Sequence, residues 1–286
     1  MRLALISDIH GNLTALEAVL ADMALARPDR VICLGDVALD GPQPHQTLAR
    51  LRSLGYPTIM GNTDDRLIQR AARLAAKAEW SQRQAPHEPA ASADPGEPEP
   101  PAELDDKQRE KQVKNWTAGQ LTADDLAYLA SFVPTLEVAL GAGQTLFCCH
   151  GSPLSYTDRI EATTPNTTLA PWLAEAEARG ETLVASGHTH IQMLRRYHRM
   201  TLLNPGSVGM PIFEATTGQF RLLPWAEYAL ITTGDAGSGA NGGRHPEGGA
   251  LHIELRRVLY DTGAVVAAYL ASGMPHAEWM AADWRA

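Results

Sequence analysis

Two hydrophobic periods alternate along the first sixty residues. Residues 2–7 (Arg-Leu-Ala-Leu-Ile-Ser) form a short apolar run of the buried-strand kind that stops at Asp8. Leu16, Val19, Leu20 and Met23 then recur at i, i+3, i+4 and i+7, which predicts an amphipathic helix closed by Pro28. Thr14 and Glu17 carry capping-box spacing at its start, with Asn12 as a competing cap. A second strand is expected over 31–34, stopping at Gly35-Asp36, then a helix over about 44–53 and a third strand over 58–60, stopping at Gly61-Asn62. Strand, helix, strand with short turns implies right-handed βαβ units and a parallel sheet. In such sheets ligands gather at the carboxyl ends of the strands, where these polar stops fall.

The middle of the chain changes character. Residues 66–80 read as a helix rich in Ala, Arg and Leu, whereas 86–106 hold six prolines, seven acids and no Lys or Arg. Such a run buries too little apolar surface to offset its ordering entropy, so a mobile segment is expected there. Thr122 and Asp125 then form a capping-box pair ahead of a helix carrying Leu126, Leu129 and Ala130. From 145 onward strands dominate: 146–149 end at His150, 183–186 end at Gly187-His188, and 201–203 end at Asn204-Pro205-Gly206-Ser207. Another strand is read at 192–197, and 228–232 with 251–259 read as a hairpin whose tip, 234–249, holds seven glycines. The expectation is one domain over 1–286 with a helical, Pro-rich insertion at 73–136.

Composition narrows the class of partner. Apolar residues make up 44% and charged residues 20%, ordinary for a globular chain. With 33 acidic against 24 basic residues the formal charge is −9. That balance argues against a nonspecific grip on nucleic acid or an anionic membrane, which needs clustered Lys and Arg. Three cysteines, with Cys33 and Cys148 inside apolar runs and Cys148 and Cys149 on opposite faces of one strand, point to reduced thiols and a cytoplasmic setting. Neither a signal peptide nor an apolar stretch approaching the roughly 20 residues that span a bilayer is expected.

Chemistry enters through the residues at the strand ends. Asp8-Ile9-His10, Gly35-Asp36, Gly61-Asn62, His150-Gly151 and Gly187-His188-Thr189-His190 each follow an apolar run and each offer a carboxylate, imidazole or amide oxygen. Any one group alone reads as an ordinary turn. Jointly they describe a dinuclear metal centre, whose two cations need a bridging oxygen donor and about three further ligands each. A carboxylate at the end of a central strand suits the bridge, and Asp36 holds that place. Asp8 with His10, and His188 with His190, are i, i+2 pairs able to turn toward cations. Mixed oxygen and nitrogen ligation favours Mn, Fe or Zn over Ca or Mg.

The order D-x-H, G-D, G-N, H-G, G-H-T-H resembles the calcineurin-like metallophosphoesterase superfamily, over about residues 1–68 and 146–222. Within it the chain looks most like the compact bacterial and archaeal phosphodiesterases. The resemblance implies a four-layer αββα sandwich of two mixed β-sheets flanked by helices. It implies Asp8, His10, Asp36 and His190 around one metal, and Asp36, Asn62, His150 and His188 around the other. It also implies two divalent ions, Mn²⁺ foremost with Fe, Zn or Ni as substitutes, and a bridging hydroxide that attacks phosphorus of a small phosphorylated substrate. Asp36, Asn62 and His150 are the catalytic candidates, and Asn12 and His45 the candidate substrate contacts. The Asn204–Ser207 segment resembles one with a supporting role.

Two departures bear on substrate. Many members of the family read Gly-Asn-His, with that His protonating the leaving group, but here Thr63 follows Asn62. Thr63 is no acid near neutral pH, so activated diesters or strained cyclic phosphates are favoured unless Asp64, His45 or the substrate supplies the proton. Protein Ser/Thr phosphatases carry an arginine where Gly41 follows Asp40, which weighs against that activity, although Arg66 or Arg159 can approach from elsewhere. A dinucleoside polyphosphate hydrolase, a Ser/Thr protein phosphatase and a non-catalytic scaffold are the rival readings. The last would have shed ligands, and all seven are present.

Overall fold

The computed structural model describes residues 1–84, 104–141, 143–214, 220–234 and 250–284. Two mixed sheets form its centre. In the first, β1 (Arg2–Ile6) pairs parallel with β2 (Arg30–Cys33), and a hairpin follows on its other side. That hairpin is β10 (Trp225–Thr233), antiparallel to β1, and β11 (Leu251–Leu259), antiparallel to β10. The second sheet runs in the order β3 (Leu136–Gly141), β4 (Gln144–Cys148), β5 (Leu183–Ala185), β7 (Met200–Asn204), β6 (Met193–Tyr197). Its three central strands are parallel and its two edges antiparallel. A short pair, β8 (Ile212–Glu214) and β9 (Phe220–Leu222), stands apart.

Side-chain alternation assigns each strand face to a layer. Leu3 and Leu5 of β1, Ile32 of β2, Leu146 and Cys148 of β4, and Leu203 of β7 pack together between the sheets. Their neighbours Ala4, Ile6, Val31 and Cys33 face outward onto α1 (Leu13–Ala26) and α2 (Pro44–Leu54). Phe147, Cys149, Val184 and Leu202 face α6 (Asn166–Ala178). Cys148 and Cys149 therefore lie in different cores, and all three cysteines are buried free thiols. The result is the four-layer αββα sandwich. A buried Leu such as Leu5 contributes about 1.5–3 kcal/mol by leaving water.

Several expectations are altered. Asn12, not a Thr14–Glu17 box, caps α1: its Oδ1 accepts from Ala15 N at 3.0 Å, while Glu17 pairs with Arg50. The third strand shrinks to bridges at Thr58 and Ile59. The helix expected from 66 begins at the proposed ligand itself, as α3 (Asn62–Gln84), and crosses the expected insertion boundary at 73 without a break. Most of the 86–106 run and the glycine-rich tip at 235–249 lie outside the described residues. Beyond it come α4 (Asp106–Gly119), capped by Asp105, and α5 (Ala123–Ala130), capped as expected by Thr122 and Asp125. Unanticipated are α6 and the pair α7 (Thr262–Ala271) and α8 (Ala277–Ala282), whose Val265, Tyr269 and Ala281 enclose Val113 of α4. Among the described residues no helix is long and apolar enough to cross a membrane.

Candidate metal centre

The loops that leave β1, β2, β4, β5 and β7 meet at one edge of the sandwich. Backbone hydrogen bonds knit them: Asp8 N donates to Gly35 O, His10 N to Asp36 O and Gly187 N to His150 O, at 2.8–3.0 Å. Asp8, His10, Asp36, His188 and His190 all adopt left-handed φ between 47° and 65°. For L residues this conformation costs on the order of 1–2 kcal/mol each. Five such positions persist together only because the surrounding loops hold them.

These turns aim the side chains inward. One ligand atom each from Asp8, His10 and His190 lies within 4.8 Å of the others, and the same holds for Asp36, His150 and His188. Asp36 lies between the groups: its Oδ2 is 3.3 Å from His150 Nε2 and 3.9 Å from His10 Nε2. Asn62, at the first turn of α3, brings its Oδ1 to 3.0 Å from His150 Nε2. The i, i+2 pair His188 and His190 is split, one to each group.

Three imidazoles are oriented by backbone carbonyls. Nδ1–H of His10 donates to Leu39 O at 2.9 Å, that of His150 to Leu34 O at 2.7 Å, and that of His190 to Met210 O at 2.8 Å. A carbonyl only accepts, so each Nδ1 carries the proton and each Nε2 lone pair points into the site. His10 Nε2 and His190 Nε2 thus face each other at 3.1 Å. Asp8 Oδ1 is buried without a hydrogen-bond donor, 3.2 Å from His190 Nε2. Opposed lone pairs beside an orphaned carboxylate oxygen form a donor set that a cation satisfies. The residues present fit two divalent ions.

Electrostatics agree. Burial pushes the Asp36 carboxyl up, but the imidazoles of His150 and His10 and the Thr63 N–H outweigh it and hold the group well below the usual carboxylate range. Burial opposes a charge on His150, yet the carboxylates of Asp36 and Asp8 lift it to about 10, so without an ion a proton on Nε2 takes the place that a cation would fill. His188, desolvated and beside His150, falls to about 4 and is a neutral donor near pH 7. Asp64, buried and facing the charge of Asp36, rises to about 7.

The supporting contacts come from Asp64 and from the Asn204–Ser207 segment, both named from the sequence. Asp64 accepts from Asp36 N (2.7 Å) and Gly61 N (3.2 Å) on one oxygen and from Val37 N (2.9 Å) on the other. Asn204 Nδ2 donates to Gly187 O and Thr189 Oγ1, and Ser207 Oγ to Asp8 O, so this segment ties the loop after β1 to the loop after β5. The backbone atoms that each of them holds in place were not visible in the sequence. Gly61 and Gly187 are required by close approach: a Cβ would collide with Asp36 Oδ1 at the first, and with Ser7 Oγ and Asp8 Oδ2 at the second.

Asn12 does not keep the role of a substrate contact, and His45 has a structural partner. Asn12 is buried, with Oδ1 capping α1 and Nδ2 donating to Gly209 O at 3.1 Å. Both ends of its amide are therefore engaged inside the fold. His45 pairs through Nδ1 with Asp125 Oδ2 at 2.6 Å, joining the start of α2 to the start of α5. Asp64, with both oxygens on backbone N–H groups, has no face toward a leaving group.

Comparison with known proteins agrees with this geometry. Residues 1–224 match the model of the calcineurin-like phosphoesterase superfamily domain. An uncharacterized protein of Methanocaldococcus jannaschii is 40% identical over 62 residues, which is 22% of this chain and only 26% of that relative. Among solved structures, a metallophosphoesterase from Sphaerobacter thermophilus superposes over 100% of this chain and 98% of its own, with a TM-score of 0.63 at 24% identity. A hypothetical protein from Pyrococcus horikoshii OT3 covers 96% of this chain and 94% of its own, with a TM-score of 0.65 at 18% identity. At these identities the two structures speak for the fold.

Proposed function

This chain belongs to the calcineurin-like phosphoesterase superfamily, and we propose that it is a hydrolase of phosphodiesters in small phosphorylated molecules, working with two divalent ions, Mn²⁺ foremost, in the cytoplasm. The observation that carries the reading is Asp36 Oδ2, placed between the imidazoles of both ligand groups. Asp8, His10 and His190 would hold one ion, Asn62, His150 and His188 the other, with Asp36 shared. When bound, such a pair supplies a water activated at neutral pH and positive charge for the phosphoryl oxygens.

The chain's own residues set the rest. Carbonyl-anchored imidazoles keep the Nε2 atoms aimed without reorganisation. Leaving-group protonation is where the site is weak. Thr63 is 7% exposed and its hydroxyl is no acid near pH 7. Asp64 and the Nδ1 of His45 are engaged elsewhere. Missing general-acid help costs about 10²–10⁴ in rate for poor leaving groups. Esters with good leaving groups or strained cyclic phosphates are therefore the favoured substrates. Three buried free thiols support a reducing compartment.

The test compares bis-p-nitrophenyl phosphate with p-nitrophenyl phosphate, using metal-stripped protein resupplied with Mn²⁺ beside Asp36→Asn. Diester turnover that vanishes in the variant supports the reading. A protein that binds metal and cleaves neither ester refutes it.

A further inference from the structure

A second polar feature adjoins the metal centre and takes no part in it. Thr63, Arg66, Arg70 and Arg73 lie three or four residues apart along α3, so they share one helix face that begins next to Asn62. Across from them stand Lys114 of α4 and Asp40 of the loop that follows Asp36. Together these groups line a cavity of about 290 Å³.

The charge balance of this cavity opposes that of the chain. Four cationic side chains face one carboxylate, in a protein of formal charge −9. Arg66 and Arg73 have no carboxylate within ion-pairing distance among the described residues. Arg70 donates to the neutral Asn115 Oδ1 at 2.6 Å. Only Lys114 is paired, with Glu110 at 2.8 Å, and that is a helical i, i+4 pair. Unneutralised like charges on successive turns destabilise a helix by a few tenths of a kcal/mol per pair. An anion in the cavity removes that repulsion.

An independent observation points the same way. Thr63 Oγ1 is buried, has no hydrogen-bond partner, and belongs to the lining. A buried hydroxyl without a partner is costly, and a hydroxyl at the foot of a cationic stripe is a natural donor to a phosphate oxygen. Thr63 follows Asn62, so the unpartnered hydroxyl lies where the cavity meets the metal centre.

We propose that the Thr63–Arg66–Arg70–Arg73 face of α3, with Lys114, is an anion subsite that binds a further phosphate group of the substrate, beyond the one cleaved. The substrate class is then a phosphoester that carries an oligophosphate or a second phosphate. The low-dielectric wall of the cavity focuses the field of these cations, which explains how an acidic chain accepts a highly anionic ligand. The inference rests on the phosphoesterase reading for the cleaved group and on the cavity alone for the additional one.

The test uses inorganic tripolyphosphate, with Mn²⁺ in excess over it, as an inhibitor of bis-p-nitrophenyl phosphate hydrolysis, and monophosphate as control. The parent protein should bind tripolyphosphate more tightly than monophosphate. In an Arg66→Gln, Arg73→Gln double variant the inhibition constant for tripolyphosphate should rise by at least about tenfold more than the KM of the small diester. Equal changes in both, or no change, overturn the subsite. Both arginines are exposed, so folding is not at stake. Should no ester be hydrolysed, titration calorimetry with tripolyphosphate reads the same difference. Arginine-dependent binding without hydrolysis keeps the subsite and removes the phosphoesterase reading, whereas arginine-independent binding overturns the subsite.

Discussion

Asp64 Oδ2 accepts the backbone N–H of Asp36 at 2.7 Å, so the carboxylate that bridges the two ligand groups is held in place by a second, wholly buried one. The two acids have different partners. Asp36 faces imidazoles, whereas Asp64 faces three backbone N–H groups across the second and third loops. Asp64→Asn would turn an amide N–H toward one of those donors. The expected result is a loss of about 2–4 kcal/mol in stability, seen as a lower Tm, with metal affinity down about 10–100-fold. A variant with parental Tm and metal content would show that this scaffold is dispensable.

Asp36→Asn keeps the shape of the bridge and removes its charge. Diester hydrolysis should fall by at least about 100-fold, and bound metal measured by elemental analysis should drop from two equivalents toward one or none.

Metal removal should destabilise the fold. Asp8 Oδ1 and the facing Nε2 atoms of His10 and His190 have no satisfying partner other than a cation or proton. At free metal about 1,000-fold above its dissociation constant, the binding linkage amounts to about 4 kcal/mol. Melting with and without a chelator should therefore differ by several degrees, and the difference should vanish in Asp36→Asn with Asp8→Asn.

Gly61→Ala places a methyl group against Asp36 Oδ1. Overpacking of this kind costs about 1–3 kcal/mol. Because the displaced atom belongs to the bridge, activity should fall further than stability does. A control at Gly119, whose Cβ would meet open space, separates the two effects when kcat and Tm are measured together.

Asp125 should make acid stability depend on the α2–α5 contact. Burial pushes its carboxyl up, but hydrogen bonds from His45 and Thr122 outweigh that and hold it below its ordinary value. A depressed carboxyl contributes stability above its unfolded pKa of about 3.9, and loses that contribution as the pH falls through the folded value. Asp125→Asn should thus melt below the parent at pH 7 and converge with it as the pH falls through the folded value.

The seven ligand candidates were legible because each follows an apolar run, and a strand that stops at a polar residue is visible in one dimension. The two ends of α1 were legible too, although its cap was Asn12, not Thr14. The start of α3 was less so: Asn62 opens it, yet Gly61-Asn62-Thr63 reads locally as a turn. The helices α6, α7 and α8 escaped because the surfaces they bury against belong to elements far away in sequence.

Sequence alone determined the inventory of donors, their order and the alternation that sorts Leu5 from Ile6 and Cys148 from Cys149 into separate cores, since those follow from chemistry and a two-residue period. Tertiary structure decided what no spacing encodes. It split His188 from His190, chose the Nε2 atoms by seating each Nδ1 of His10, His150 and His190 on a distant carbonyl, turned Asn12 inward, joined His45 to Asp125, and set Lys114 against the arginines of α3. Each of those outcomes depends on contacts across tens to hundreds of residues, where geometry exists only after the sheets have packed.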